Sequence, residues 1–215
     1  MSEKKVLTKK EQTRQMTILA MFIAIIAVLG LVPNGLGGTI GFIKIAPTIE
    51  ATIVHIPVLI GAVLLGRKMG IYLGLAFGVV ANIAAFIYAS PFFVYPWVAI
   101  LPRFVFGLLI YDFTKIFIKL FKNKYLGIGV SFFLLTLIHT ILVLFMFWTS
   151  YALVYDLGLF EAIKPYFAFL VLYNVIPFTP FVEAAIAAVV GSVIVINLAR
   201  YLKNTNNTLL EIEVD

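Results

Sequence analysis

The chain has 215 residues, 63% of them hydrophobic and 12% charged, with a formal net charge of +6 and a mean hydropathy of +1.10. Soluble domains carry about a quarter charged residues, so no soluble core of this size could hide so much apolar surface. The composition excludes a soluble globular protein, and the absence of cysteine excludes disulfides and thiolate metal sites. Nucleic acid is not the reason for the positive charge. Lys and Arg sit at the ends of apolar runs, as membrane topology demands, without interleaved aromatics of the kind that stack bases. The expected class is an all-α, polytopic membrane protein in contact with lipid.

Residues 1–15, MSEKKVLTKKEQTRQ, read as a solvated basic lead-in, too polar and mixed in charge for a secretory n-region, so the first apolar run is expected to be retained. Six spans are expected, over about 16–32, 51–65, 69–88, 98–119, 127–148 and 166–198, making a membrane domain of 16–203 followed by a tail over 204–215. In the first span Thr17, Ala20, Ala24 and Ala27 form a small-residue stripe, suited to packing inside the bundle or to docking against another membrane subunit. Residues 33–50 read as a long Gly-rich loop, a lid or binding loop by its length. The second span is short for a crossing, and Arg67-Lys68 reads as the turn after it. In the third, Gly70, Gly74 and Gly78 recur every four residues and Asn82 continues the row, a groove for close helix packing.

The uncharged stretch SPFFVYPWV follows, in which Tyr95 and Trp97 fit either an interfacial belt or a ring-lined pocket. Lys115, Lys119, Lys122 and Lys124 close the fourth span as a basic cluster, with Asp112 expected to pair with Lys115 one turn away. The sixth span is too long for one straight crossing, and Pro177 and Pro180 predict a kinked or re-entrant start. With six spans both termini share one side. A cytoplasmic N-terminus puts all the Lys and Arg inside except Lys44, Lys164 and the intramembrane Arg103, so the termini are expected to be cytoplasmic.

Polar groups in hydrocarbon are costly, and each is a functional candidate. His55, Arg103, Asn174 and Glu183 lie in the outer halves of their spans, Asn82 within a turn or two of an outer end, and His139 nearer the middle. They converge on an outward-opening region. Simpler roles stand beside this one: Arg103 and Glu183 as a buried structural pair, and His55 as part of a helix start. No ligand spacing supports a metal, and no P-loop, HExxH or GxSxG stretch supports ATP binding or hydrolysis. No cofactor is called for.

The run TIVHIPVLIGAVLLGRKMGIYLGLAFG, then LPRFVFGLL, the His139-Thr140 step and the helix beginning Glu183-Ala-Ala-Ile-Ala-Ala together resemble the substrate-binding (S) components of energy-coupling factor (ECF) vitamin transporters. The most specific part is HIP-x-x-x-G-x-x-x-x-G with Pro102-Arg103, and the likeness runs from Met16 to about Lys203. It implies a small six-helix protein of a bacterial plasma membrane that captures a vitamin from outside. Such a protein then joins a membrane scaffold subunit and two cytoplasmic ATPases, which hydrolyse ATP on its behalf, so it is not itself an enzyme. Ala20 and Ala24 match the family's AxxxA docking element.

Within the family the pattern is most like the pantothenate-specific members, with riboflavin and hydroxymethylpyrimidine-type members as alternatives. The resemblance then implies that Arg103 holds the carboxylate, Asn82, His139 and Asn174 take hydroxyl and amide groups, and Tyr95 and Trp97 cover the geminal methyls. Glu183 conflicts with an anionic ligand unless Arg103 or His55 offsets it. A stand-alone ion-coupled carrier using Glu183 and His139 as a proton relay is the other reading.

Overall fold

A computed structural model describes residues 8–35, 37–46, 49–90, 92–172 and 179–204. Helix α1 spans Lys9–Leu31, seven residues earlier than the expected first span. The cause is a capping box: Thr8 Oγ1 accepts from the Glu11 N–H, and the Glu11 carboxylate accepts from the Thr8 N–H at 2.7 Å. Part of the polar lead-in is therefore about the first two turns of a helix.

The segment read as an aperiodic loop contains a β-hairpin, β1 (Phe42–Ala46) and β2 (Ile49–Thr52), paired antiparallel with Phe42 opposite Thr52. Gly41 ties it to α1, donating its N–H to the Leu29 carbonyl at 2.7 Å and accepting from Ile53. Helix α2 begins only at His55 and ends at Leu65, so the expected second span shrinks to eleven residues. All eleven are buried. At 1.5 Å per residue such a helix reaches about 16 Å, half of a hydrocarbon core of about 30 Å.

Arg67 and Lys68 do not form the turn. Gly66 makes it alone at φ 90°, a left-handed conformation that favours glycine, and helix α3 (Arg67–Ile87) starts at once. Gln15 of α1 caps the same corner, donating to the Leu65 carbonyl at 3.1 Å.

The glycine row on α3 meets α5 (Leu101–Leu120), which follows the short helix α4 (Pro96–Ala99). A Cβ at Gly70 would lie 2.7 Å from the Gly107 carbonyl oxygen, one at Gly74 3.0 Å from Gly107 Cα, and one at Gly78 2.7 Å from Ile100 Cα. Backbone thus packs on backbone, as small residues permit where lipid gives helices no hydrophobic drive to associate. At the far end of this pair Arg67 Nε lies 3.2 Å from Asp112 Oδ2. Asp112 is therefore paired across helices, while Lys115 lies over the Tyr111 ring.

Helix α6 (Lys124–Val154) has 31 residues, about 46 Å of helix, and overshoots the expected fifth span at both ends. It is bound to α5 by Ser131 Oγ donating to Thr114 Oγ1 at 2.9 Å. Helix α7 (Ile163–Leu172) packs back on it. The last stretch is α8 (Thr179–Ile186), a π-helical turn over Ala187–Gly191, then α9 (Ser192–Asn204); Pro180 lies in the first turn of α8, and Pro177, on which the expected kink also rested, lies outside the described residues. Gly191 abuts the Phe132 ring of α6, where a Cβ would come within 2.6 Å.

Among the described residues five helical stretches are long and apolar enough to cross a membrane: Lys9–Leu31, Arg67–Ile87, Pro96–Leu120, Lys124–Val154 and Thr179–Tyr201. The expected count of six does not follow from them alone, because α2 is too short.

Candidate functional site

A cavity of about 130 Å³ opens at the end of the bundle carrying the hairpin and the 88–95 turn. Its walls come from α3, α5, α6, α8 and the hairpin region. Phe42 and Thr52 of the hairpin and Thr39 just before it form one side, and Phe42 stacks on Phe77 of α3 with ring centroids 6.3 Å apart.

Arg103 lies in the first turn of α5 and is 4% exposed. Pro102 before it suits a helix start, where the missing N–H costs nothing. Among the described residues the guanidinium is held by a carbonyl and two rings: Nη1 donates to the Val98 carbonyl at 2.9 Å, and the Phe77 and Phe93 ring centroids lie 5.4 Å and 5.3 Å from Cζ. Gly74 gives α5 its close seat on α3 at this level, touching the Arg103 backbone. A planar cation fixed this way can meet a carboxylate with two parallel hydrogen bonds.

His139 lies midway along α6 and is 3% exposed, with Phe106, Phe77 and His55 ring centroids 4.8, 5.6 and 6.3 Å away. Its Nε2 has no partner among the described residues and its side chain lines the cavity, so it offers one hydrogen bond to whatever enters. His55 does not line the cavity; it is fully buried behind His139, nearly parallel to it.

Glu183 on α8 is 9% exposed and also lines the cavity. Its Oε1 accepts the Thr52 N–H at 2.6 Å, joining α8 to the end of β2. No direct salt bridge joins it to Arg103 among the described residues, so the buried structural pair considered from sequence is not a contact pair. The two charges stand on helices that both pack on α6.

The other sequence candidates fall elsewhere. Asn82 donates through Nδ2 to the Phe93 and Val94 carbonyls, both at 3.0 Å, and so fixes the turn that carries Phe93. Tyr95 and Trp97 stack on each other at 4.9 Å, with Trp97 43% exposed, and neither lines the cavity. Asn174 lies outside the described residues.

Sequence reasoning missed Tyr88, Phe93, Phe147, Phe169 and Thr179, all of which line the cavity. For Phe93 a signal existed, since the aromatic 90–98 turn does contribute a ring. Tyr88 had none: its hydroxyl donates to the Leu31 carbonyl at 2.8 Å, a contact between distant parts of the chain. Ala20 and Ala24 are both exposed on the outward side of α1. Among the described residues no three His, Cys, Asp or Glu side chains gather to hold a metal ion.

Residues 14–195 match the family model of the substrate-specific component of ECF transporters. The chain belongs to this family. It is also 33% identical over 174 residues to the pantothenic acid transporter PanT of Lactococcus lactis subsp. cremoris (strain MG1363), covering 70% of this chain and 83% of that protein. Among solved structures it resembles the S-component for biotin from an ECF-type ABC transporter. That match has a TM-score of 0.56 and 18% identity, and covers 88% of this chain and 94% of the other. At that identity the likeness speaks for the S-component fold alone. As an ECF S component with several apolar helices, the protein is a multi-pass membrane protein.

Proposed function

We propose that this ECF S component captures pantothenate from outside a bacterial cell, with Arg103 holding the carboxylate. The observation that carries the reading is the buried guanidinium, held between two aromatic faces on a cavity wall. Identity to a pantothenic acid transporter supports the choice of vitamin. His139 Nε2 takes an amide or hydroxyl of the ligand, and Phe93, Phe147 and Phe169 cover its geminal methyls. These rings replace Tyr95 and Trp97 in that role. Asn82 acts by fixing the Phe93 turn, and His55 by backing His139.

Six crossings with cytoplasmic termini remain the topology proposed here. A short α2 fits it because a helix buried on every side satisfies its polar groups within protein and need not match the lipid thickness. Transport requires a scaffold subunit and two ATPases, and the outward-facing Ala20 and Ala24 supply the smooth face on which a scaffold helix can sit closely.

Calorimetric titration of the purified protein with pantothenate, riboflavin, biotin and a hydroxymethylpyrimidine tests the vitamin. One-to-one binding of pantothenate alone is expected. Binding of another member of the panel, or of none, overturns the assignment.

A further inference from the structure

Glu183 is the residue an anion-binding cavity has least reason to contain, and its placement gives it a use. The carboxylate is nine-tenths buried, and one oxygen is pinned by the Thr52 N–H at 2.6 Å. Its Oε2 takes no hydrogen bond from the described residues, and the side chain faces the cavity. The cavity wall also offers the threonine side chains Thr52 and Thr179. The cation is Arg103, on α5, and α5 and α8 are both packed on α6. Cation and carboxylate thus stand on different helices of one cavity, which His139 of α6 also lines.

A carboxylate has acceptors only. It welcomes a hydroxyl or N–H and rejects any group that brings negative charge without a donor, and such like-charge placements cost several kcal/mol when water is excluded. Pantothenate matches this division, with a carboxylate at one end and a primary hydroxyl at the other.

Resting on the pantothenate reading, we infer that Glu183 is a specificity-determining residue that recognises the hydroxyl end of the ligand and excludes the ester formed when that hydroxyl is phosphorylated. A phosphate monoester carries a charge of about −1.5 to −2 near neutral pH and only acceptor oxygens once fully ionised. It would place that charge against Glu183 while the carboxylate occupies Arg103. The S component so separates the free vitamin from its phosphate by charge rather than by size.

Titrating the wild type and Glu183→Gln with pantothenate and with its primary phosphate ester tests this. The glutamine has nearly the same shape and its carbonyl can still accept from Thr52. The wild type is expected to prefer the free vitamin by about 100-fold or more. In Glu183→Gln that preference narrows by about tenfold or more, because the ester binds better. Equal wild-type affinity for vitamin and ester overturns the inference, as does an unchanged preference in the variant, which would mean exclusion by size. A wild type that binds no pantothenate fails at the first titration, and that result overturns the functional reading together with this inference.

Discussion

The wall that carries Arg103 and the wall that carries Glu183 hold their charges by different means. Arg103 stands on α5, whose backbone meets the α3 backbone through Gly70, Gly74, Gly78 and Gly107, and its head is clasped by two rings and a carbonyl. Glu183 stands on an eight-residue helix that runs directly into a π-helical turn, and one hydrogen bond to the end of a hairpin holds it. Backbone-to-backbone packing leaves no slack, because no side chain can yield. A π turn is an irregularity that helices accept mostly at functional sites. On the proposed reading the rigid wall anchors the ligand and the second wall meets its other end.

The largest expected effect comes from breaking the rigid wall. Gly74→Val puts side-chain atoms into the α5 backbone, an overpacking that costs more than about 3 kcal/mol. The variant is expected to yield little folded protein by size-exclusion chromatography in detergent, whereas Gly35→Val, where no atom lies within 4 Å of an added Cβ, meets only backbone strain and stays folded.

Replacing Ala20 and Ala24 together by Leu separates capture from transport. Pantothenate binding by the purified variant should stay within about twofold of wild type, since neither side chain approaches the cavity, while uptake by cells carrying the partner subunits should fall to background. Unimpaired uptake would mean that the scaffold docks elsewhere.

A smaller effect sharpens the comparison at the turn that delivers Phe93. Asn82→Ala removes two hydrogen bonds to the Phe93 and Val94 carbonyls, worth roughly 1–2 kcal/mol together. Ligand affinity should drop by up to about tenfold, with a loss of a few degrees in thermal stability. Trp97→Ala marks the lower limit: the residue is 43% exposed and does not line the cavity, so affinity is expected to be unchanged.

What could be read from the sequence were the features governed by local periodicity or by cost in lipid. The glycine row announced a close helix partner, and buried polar residues announced Arg103, His139 and Glu183. Contacts between distant segments were not legible. The Thr52 N–H that holds Glu183 lies 131 residues away, and the Tyr88–Leu31 bond leaves no mark on either segment. Two local signals were available but overlooked. Thr8-Lys-Lys-Glu11 spells a capping box, and the β-branched run around Pro47-Thr48 suits a hairpin.

The most direct measurement is titration of Arg103→Gln and Arg103→Lys with pantothenate beside the wild type, each checked for unchanged thermal unfolding without ligand. Removing the charged fork should weaken binding by about 100-fold or more, and the lysine should recover only part of it. Wild-type affinity in a folded Arg103→Gln would contradict the account, because a vitamin carboxylate held at this wall has no other cation among the described residues of the cavity to meet it.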